Sequence, residues 1–563
     1  MTDSIRLARL AVGALRAAGV TDVVLCPGSR SAPLAYALTE PARPGPRVHV
    51  RHDERVAAFT ALGVQYQAWP GMGAVVTTSG TAAANLHPAV LEAHHADRPL
   101  VVVTADRPPV MRGTWANQTS ELQAGLFGGA VRARLDLDDA AAAADPRAAA
   151  DAILAAVAAA WGPNPGDRPG PVHLNLGFTD PLVPGPDDEA EDPSPVLGRI
   201  PAIRHPPREE LTLPPGPRTL VIAGDDGRCA AGLAEQAGWP LLAEPSSGAR
   251  QGRQAIGPYR LLLELPELAG DVERVVVFGR PTLSRPVTRL LSRPDVEVVL
   301  CSRHDPGRPV TRAGAVRVPA REVDSSAGGA WSRRWLDAGR AAQDALDAVL
   351  DDAAALSGPL VARELMAAVA DGRYVVAAAS NPIRDLDLAM QPREHVNVVA
   401  NRGLAGIDGT LSTAMGLALA TEAPVRALVG DLAFLHDSNA LIPEPGAPRP
   451  NLQVVLLNDG GGGIFSLLEH GARAREGAAQ AAVFERAFGT PHGVDIEALC
   501  RAYGVVHVPI DDVVALRAAL AAPLRGISLV EVRLGAGYRA GLRDLHARIR
   551  TAVHACARGA LQR

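Results

Sequence analysis

The sequence of 563 residues contains no lysine, and its 56 basic residues other than histidine are all arginine. A lysine is required for a pyridoxal Schiff base, for a lysine-dependent aldolase and for a P-loop nucleotide site, and these three classes are therefore excluded. The sequence has only five cysteines, far apart and without a CxxC pair. This spacing disfavours a zinc or dithiol redox site and predicts reduced thiols in a cytoplasmic protein.

Long apolar runs and basic patches are also missing. No stretch of about eighteen apolar residues is free of charge, so no membrane span is expected. The net charge of −5, without a basic run, gives no reason to expect a nucleic-acid partner. The first residues, SIRLARLAVGALRAAGV, carry arginines inside their apolar pattern and predict an amphipathic helix rather than a secretion signal.

Strand, small-residue turn and helix alternate in three parts of the chain, which predicts an α/β fold with mostly parallel sheets flanked by helices. A proline-rich, acidic stretch at 181–217 predicts an interdomain linker, and an Ala-rich polar stretch at about 325–357 predicts a helical connector. The predicted domains are 1–185, 190–345 and 350–563. The central domain has GDDG in place of GxGxxG, so no dinucleotide site is predicted there.

The stretch with the clearest chemical signal is GDLAFLHDSNALIPEPGAPRPNLQVVLLNDGGGGIF. The apolar runs VRALVG and LQVVLLN predict buried parallel strands, and Asp431 follows the first while Asn458 and Asp459 end the second, before four glycines. Carboxylate and amide oxygens beside bare backbone suit Mg²⁺ bridging to a diphosphate. Taken separately, GD and NDGG are ordinary turn signals.

Together, these two turns resemble the metal–diphosphate motif of thiamine diphosphate (ThDP) enzymes, which implies ThDP with Mg²⁺ or Mn²⁺ as cofactors. In that motif the side-chain ligand stands two residues before a glycine whose carbonyl also binds the metal. Two pairs fit: Asp459 with Gly461, counted back from Ile464, and Asn458 with Gly460, counted forward from Asp431. The first pair is favoured because strand ends align better than loops of variable length. Many relatives have Asn where this chain has Asp459, so a tighter Mg²⁺ dependence is expected.

A ThDP enzyme also needs one glutamate, bonded to N1′ of the aminopyrimidine ring, in an apolar setting where it keeps its proton near neutral pH. Glu54, in HVRHDERVAAFTALG, matches that residue. The alternative is that Glu54 is a carboxylate at a helix start, stabilised by the helix dipole, a role that Asp53 could fill equally well. The metal motif makes the catalytic interpretation the preferred one.

Nine motifs occur in the order and spacing of one ThDP family: CPGSRSAPL, HDER, TSGTAAANL, TADRPP, ANQT, SNPIR, NRGLAGIDG, GDLAFLHD and NDGGGGIFSLL. The chain is therefore similar to the 2-succinyl-5-enolpyruvyl-6-hydroxy-3-cyclohexene-1-carboxylate synthases of menaquinone biosynthesis. The resemblance spans all three predicted domains and is weakest in the middle one. It implies a transferase that decarboxylates 2-oxoglutarate and adds the succinyl carbanion equivalent to isochorismate in a 1,4-addition. It also implies a homodimer or homotetramer whose active site lies between subunits.

The resemblance further implies roles for individual residues. Because both substrates are dicarboxylates, several guanidinium groups are expected to grip them. The substrate-binding set is Arg30, Arg107, Gln118, Arg384 and Arg402, and the catalytic set is Glu54, Ser29, Arg30, Gln118 and Ser380. The cofactor-binding set adds to Glu54 the residues Pro27, Gly28, Ser79, Gly406, Ile407, Asp408, Gly430, Leu432, Gly462, Ile464 and Phe465.

Two other functions remain open from the sequence. Another 2-oxo acid decarboxylase or acetohydroxyacid-type carboligase would need fewer arginines on its substrate side. A non-catalytic homologue could bind ThDP as a sensor, although the presence of Glu54 and Asp431 argues against it. The adjacent His94 and His95 lie in a helical stretch outside these motifs, and we expect them to be non-catalytic.

Overall fold

A computed structural model describes residues 2–40, 45–67, 71–164, 167–185, 210–214, 216–302, 309–318, 327–352, 355–447, 449–535 and 537–563. Most of the predicted linker, 186–209, lies outside these residues. The chain forms two compact units. Unit 1 comprises Met1–Pro206, Asn401–Ala423 and His436–Leu452, and unit 2 comprises Pro207–Ala400, Pro424–Leu435 and Gln453–Arg563. No helix in the described part of the chain is long and apolar enough to cross a membrane.

Nineteen strands are present in the described residues. They are β1 (Val20–Leu25), β2 (Arg47–Val50), β3 (Met72–Thr77), β4 (Leu100–Asp106), β5 (Arg134–Asp138), β6 (Pro171–Gly177), β7 (Glu210–Thr212), β8 (Thr219–Ala223), β9 (Leu241–Ala243), β10 (Arg274–Phe278), β11 (Glu297–Cys301), β12 (Thr311–Arg312), β13 (Ala315–Arg317), β14 (Tyr374–Ala377), β15 (Asn397–Val399), β16 (Val425–Gly430), β17 (Leu452–Asn458), β18 (Val506–Ile510) and β19 (Ile527–Arg533).

The same residues contain twenty-one α-helices. They are α1 (Asp3–Ala17), α2 (Ala32–Thr39), α3 (Glu54–Val64), α4 (Thr81–Ala84), α5 (His87–Ala96), α6 (Asp139–Ala144), α7 (Pro146–Ala158), α8 (Ala230–Ala237), α9 (Tyr259–Leu262), α10 (Pro266–Ala269), α11 (Arg285–Leu291), α12 (Ala327–Asp351), α13 (Gly358–Ala368), α14 (Asn381–Ala389), α15 (Thr410–Thr421), α16 (Asp431–Asp437), α17 (Glu469–Arg473), α18 (Ala478–Phe484), α19 (Ile496–Tyr503), α20 (Val513–Ala521) and α21 (Tyr538–Leu561).

The sheet of unit 1 is parallel throughout, with strand order β2-β1-β3-β4-β6-β5. Strands β3, β4 and β6 are buried along their whole length, because helices cover both faces of a parallel sheet. The segment PVHLNLG forms β6, which lies inside the sheet between β4 and β5. The predicted amphipathic N-terminal helix is α1, and it begins with the side chain of Thr2 accepting a hydrogen bond from the backbone N–H of Ile5.

Helices α3 and α15 pack against each other within unit 1 at van der Waals distance of their backbones. A Cβ atom added to Gly63 would lie 2.2 Å from the carbonyl oxygen of Thr413, and one added to Gly416 would lie 1.9 Å from that of Thr60. Any side chain at either glycine would force the helices apart. This contact fixes the start of α3, which carries Glu54, relative to the segment that leads into α15.

Unit 2 contains a six-stranded sheet, with order β15-β14-β16-β17-β19-β18, and a five-stranded parallel sheet, with order β12-β11-β10-β8-β9. In the first of these, β14 pairs in parallel with β15 and β16, and β18 pairs in parallel with β19. One apolar core joins side chains from both sheets with helices α12 and α21, which pack together. The α/β prediction is confirmed, and the predicted helical connector contains α12.

Candidate active site

In unit 2, Asp431 directly follows strand β16 and begins helix α16, as predicted for a ligand at the carboxyl end of a parallel strand. Its Oδ1 atom accepts a hydrogen bond from the backbone N–H of Leu432 at 2.6 Å, and its Oδ2 atom accepts one from Gly461 at 2.8 Å. Burial raises the pKa of Asp431 above its ordinary value, although these bonds oppose that effect. The two strand ends are thus joined through one carboxylate.

Asp459 follows the neighbouring strand β17 and turns to the same backbone amide. Its Oδ1 atom accepts a hydrogen bond from the N–H of Gly461 at 3.1 Å. Burial raises the pKa of Asp459 to about 7, with a further contribution from the negative charge of Asp431. A buried and a half-buried carboxylate, the first of which raises the pKa of the second, form a donor set that suits a divalent cation.

An ion bound here would need additional ligands. Among the described residues, no group of three His, Cys, Asp or Glu side chains could hold a metal on its own. Mg²⁺ commonly takes one or two carboxylates and completes its shell with water, carbonyl and phosphate oxygens. The residues present therefore fit a metal that is bound together with a diphosphate.

Asn458, the alternative ligand, is engaged elsewhere. Its Nδ2 atom donates to Glu531 Oε1 at 2.6 Å, and its Oδ1 atom accepts from the N–H of Gly460 at 3.2 Å. The side chain of Asp459, by contrast, shares a donor with Asp431. These contacts favour Asp459 over Asn458, and the choice between them stays a prediction.

The glycines after β17 are required by close approach. A Cβ atom at Gly463 would lie 2.0 Å from Asp459 Oδ2, and one at Gly461 would lie 2.1 Å from the carbonyl oxygen of Gly489. Gly461 also has φ +156°, a backbone conformation that other residues rarely adopt. The glycine turn, residues 460–463, therefore holds its shape only without side chains. Ile464 and Phe465 follow it and are half-buried.

Ser380 and Arg384 lie at the start of α14, also in unit 2. Ser380 has φ +100°, which is rare for a residue with a side chain and is common at functional sites. Arg384 donates from Nη1 to the carbonyl oxygen of Ser380 at 2.8 Å. Burial raises the pKa of the adjacent Asp385 to about 7, and the charge of Asp459 adds to this effect. The start of α14 is therefore within electrostatic range of the predicted metal ligand.

In unit 1, Glu54 is the first residue of α3 and is half-buried. The capping role falls to Asp53, whose carboxylate accepts hydrogen bonds from the N–H groups of Arg55 at 3.0 Å and Val56 at 3.2 Å. The simple helix-start interpretation thus applies to Asp53 and leaves Glu54 for another function. Burial raises the pKa of the Cys26 thiol, and the charge of Glu54 contributes, which places Glu54 near the turn that contains Pro27 and Gly28.

Ser79 and Gln118 bind each other reciprocally at the carboxyl end of the unit 1 sheet. Ser79 Oγ donates to the carbonyl oxygen of Gln118 at 2.7 Å, and Gln118 Nε2 donates to that of Ser79 at 2.9 Å. Gln118 has φ +53°. Below them, Gln123 is buried, accepts the N–H of Gly80 at 2.9 Å and donates to Asn175 at 3.0 Å. A buried polar network therefore holds the turn that presents Gln118.

Arg30 and Arg107 are neighbours on this end of the sheet. Arg30 is buried and donates from Nη1 to the carbonyl oxygen of Phe178 at 2.8 Å. Burial lowers its pKa, and the positive charge of Arg107 contributes to that shift. Arg107 donates to the carbonyl and side-chain oxygens of Asn117, next to Gln118. The structure thus brings Arg30, Arg107 and Gln118 into one region.

The segment that contains Arg402 is held by Glu92, a buried residue of α5. The carboxylate of Glu92 accepts hydrogen bonds from the N–H groups of Gly403 at 2.5 Å and Leu404 at 2.7 Å. Arg402 is itself buried, whereas Ile407 is 36% exposed. A cavity of about 350 Å³ borders this segment; its lining includes Glu92, Asn401, Gly406 and Asp408.

The candidate residues therefore divide between the units. Unit 1 holds the sets around Glu54, Gln118 and Arg402, and unit 2 holds those around Asp431 and Ser380. Glu92 and Gln123 were not among the residues predicted from the sequence. Both are ordinary in sequence, and their importance lies in long-range contacts that no local pattern reveals. His94 binds the carbonyl oxygen of Ala130 at 2.7 Å, a structural contact.

Comparison with known proteins identifies the family. Residues 5–125 match the thiamine pyrophosphate enzyme N-terminal TPP binding domain, and residues 385–532 match the C-terminal TPP binding domain; TPP is another name for ThDP. A 2-succinyl-5-enolpyruvyl-6-hydroxy-3-cyclohexene-1-carboxylate synthase from Kineococcus radiotolerans is 52% identical, covering 94% of this chain and 96% of its own length. Proteins with the same name from an Arthrobacter species and from Paenarthrobacter aurescens are 48% and 46% identical, covering 99% and 98% of this chain and 93% and 97% of their own lengths. The chain belongs to the 2-succinyl-5-enolpyruvyl-6-hydroxy-3-cyclohexene-1-carboxylate synthase family of ThDP enzymes.

Proposed function

We propose that this protein catalyses the decarboxylation of 2-oxoglutarate and the 1,4-addition of the resulting succinyl carbanion equivalent to isochorismate. The products are 2-succinyl-5-enolpyruvyl-6-hydroxy-3-cyclohexene-1-carboxylate and CO₂, in menaquinone biosynthesis. The observation that carries the proposal is the pair of carboxylates, the buried Asp431 and the half-buried Asp459, turned to one glycine amide in a chain 52% identical to a synthase of this name.

Bound ThDP supplies a carbanion-stabilising thiazolium that accepts the 2-oxo acid. Glu54 is proposed to hold a proton at N1′ of the aminopyrimidine ring and to exchange it during the cycle. Since Asp53 caps α3, the carboxylate of Glu54 is not needed for the helix. The residues proposed to line the cofactor are Pro27, Gly28, Ser79, Gly406, Ile407, Asp408, Gly430, Leu432, Gly462, Ile464 and Phe465.

Mg²⁺ or Mn²⁺ would be held by the carboxylates of Asp431 and Asp459 and by the carbonyl oxygen of Gly461, with Asn458 as the alternative side chain. Burial raises the pKa of both carboxylates, and the charge of Asp431 raises that of Asp459 further. These shifts support the assignment, because a divalent cation would stabilise both ionised groups. When bound, the ion would offset the negative charge of the cofactor's diphosphate.

Arg30, Arg107, Arg384 and Arg402 are proposed to bind the substrate carboxylates. Arginine suits this task because its planar guanidinium donates in pairs and stays charged when buried. Ser29, Gln118 and Ser380 would orient the reacting groups through hydrogen bonds. The positive φ angles of Gln118 and Ser380 support this role, because such backbone strain is retained where the position of a side chain matters.

The assembly proposed is a homodimer or homotetramer in which a glutamate-bearing domain of one subunit meets the diphosphate-binding domain of another. The corresponding domain limits are 1–185 for the glutamate-bearing domain, 190–345 for the central Rossmann-like domain and 350–563 for the diphosphate and metal domain. A cytoplasmic location remains a prediction from the spacing of the cysteines.

The decisive experiment follows isochorismate absorbance in purified protein with ThDP, Mg²⁺, 2-oxoglutarate and isochorismate. We expect loss of the signal only when all four are present, with release of one CO₂ for each isochorismate consumed. Replacing 2-oxoglutarate with pyruvate serves as the control for donor choice. Turnover with pyruvate at a comparable rate, or consumption of isochorismate without CO₂, would show that the proposed reaction is wrong.

A further inference from the structure

The segment that connects Gly489 to helix α19 packs against the glycine turn. The N–H of Gly462 donates to the carbonyl oxygen of Gly489 at 2.8 Å, so this segment and the turn are fixed to each other. His492 lies in the segment, and its ring reaches back to Asp431 in the same unit. Neither the sequence motifs nor the family matches assign it a role.

The hydrogen bonds of His492 define which ring nitrogen carries the proton. The backbone N–H of Val494 donates to Nδ1 at 3.3 Å. A backbone amide can only donate, so Nδ1 is the acceptor and the hydrogen is on Nε2. Nε2 is buried and lies 3.3 Å from Asp431 Oδ2, close enough to lower the pKa of that carboxyl, but at an angle that makes no well-formed hydrogen bond. Leaving a buried N–H group without a well-oriented acceptor costs free energy. A bound ligand that offers an acceptor to this nitrogen would therefore be stabilised.

An anionic oxygen would be the strongest acceptor for this hydrogen. A ring nitrogen that carries hydrogen cannot coordinate a metal ion, which excludes His492 as a ligand of the cation itself. Asp431 Oδ2 already accepts from Gly461 and is the proposed metal ligand. The chain has no lysine, so the negative charge of a diphosphate has to be met by the metal, backbone amides, arginine or histidine.

We infer that His492 donates its Nε2–H to an oxygen of the terminal phosphate of ThDP, beside the metal that Asp431 holds. This inference rests on the proposed function. It makes His492 a cofactor-binding residue that distinguishes a diphosphate from a monophosphate, in addition to the glycine turn.

The test measures equilibrium binding of ThDP and of thiamine monophosphate to full-length apoprotein, with Mg²⁺ and with EDTA, by calorimetry. The variants are His492→Asn, which keeps an acceptor for Val494 but cannot reach the position of Nε2, and His492→Gln, whose amide can. We expect His492→Asn to bind ThDP about tenfold more weakly in both conditions, with unchanged affinity for thiamine monophosphate, and His492→Gln to recover most of the loss. His395→Asn, the same change at a side chain 71% exposed in unit 2, is the control and should bind like the wild type.

Three results would overturn the inference: an unchanged ThDP affinity in His492→Asn, an equal loss for both ligands, or a loss that appears only with Mg²⁺. The last result would mean that His492 acts on Asp431 rather than on the phosphate. Thermal unfolding of the apoprotein checks that each variant is folded. If the wild type itself does not bind ThDP, the proposed function fails, and that result is distinct from each of these.

Discussion

The carboxylates of Asp431 and Asp459 share a single donor, the backbone N–H of Gly461, at 2.8 Å and 3.1 Å. These two aspartates come from the ends of adjacent strands and are 28 positions apart in the sequence. The shared amide orients both toward one point, although their like charges oppose that arrangement. A divalent cation at this point would convert the repulsion into coordination.

Replacing Asp459 should therefore weaken metal binding. We expect Asp459→Ala to lower the Mg²⁺ affinity of the ThDP-loaded protein by about a hundredfold or more, since even outer-sphere partners of a metal ligand commonly contribute tenfold. Asp459→Asn should retain a ligand oxygen but bind Mg²⁺ more weakly than the wild type, because one negative charge is lost. The measurement is a metal titration of cofactor binding.

Asn458→Ala is the matched comparison at the preceding residue. It removes the bond to Glu531 and should change Mg²⁺ affinity much less than Asp459→Ala. A larger effect from Asn458→Ala would assign the metal to Asn458 instead. An Mg²⁺ affinity of Asp459→Asn equal to that of the wild type would contradict the expected gain from the extra charge.

Glu54→Gln should abolish turnover while preserving the fold. The amide keeps the shape of the carboxyl group but cannot exchange a proton with N1′, so we expect kcat to fall by about a hundredfold or more. Asp53→Asn is the control on the same helix, where an amide oxygen can still accept from Arg55 and Val56. Steady-state kinetics would contradict the role of Glu54 if both variants lost activity equally.

Gly463→Ala tests the need for bare backbone beside the predicted metal ligand. The new methyl group would meet Asp459 Oδ2 at 2.0 Å and displace it, so ThDP with Mg²⁺ should bind about tenfold more weakly. Gly537→Ala is the control, because nothing lies within 4 Å of its added Cβ atom and its φ is −88°. Equal affinities for the two variants would show that the close approach does not matter for binding.

The raised pKa of Asp437 should make the stability of the folded protein depend on pH. Its carboxylate accepts hydrogen bonds from the N–H and Oγ of Ser412, both at 2.8 Å, but burial raises its pKa from 3.8 to about 6. The unfolded chain therefore ionises at lower pH than the folded one. The contribution of this group is fully present below about pH 4 and is lost as the pH rises through 6, a change of about 3 kcal/mol in the free energy of unfolding.

The variant Asp437→Asn cannot ionise, so its unfolding free energy should lack this decrease between about pH 4 and 6. Urea unfolding of wild type and variant over this range measures the difference. Parallel curves for the two proteins would show that Asp437 keeps an ordinary pKa in the folded state.

The sequence predicted the elements whose signal is local. Continuous apolar runs located the buried parallel strands β3, β4, β16 and β17, because helices cover both faces of such strands. Strand β5 was not predicted, because RLDLD is a short edge strand and lacks the continuous apolar run by which the buried strands were located. Its alternation of charged and apolar side chains is the pattern of a strand exposed on one face. The strand-end motifs likewise located Asp431 and Asp459 correctly at the ends of adjacent strands.

Properties that depend on contacts between distant residues could not be predicted. The sequence favoured a catalytic role for Glu54 but left open which of Asp53 and Glu54 serves the helix start, and only the hydrogen bonds of Asp53 to the helix N-terminus answer that question. The partner of Asn458 is Glu531, more than seventy positions away. The bonds from Glu92 to Gly403 and Leu404 span more than three hundred positions, which no motif encodes.

The packing of α3 on α15 limits which fragments of the protein can fold when they are expressed separately. A fragment that ends at residue 185 would contain Gly63 and Thr60 but not the helix that covers them. Its uncovered helix would expose apolar surface and favour aggregation. Truncation experiments that seek an autonomous N-terminal piece should therefore supply residues 401–423 as a second polypeptide.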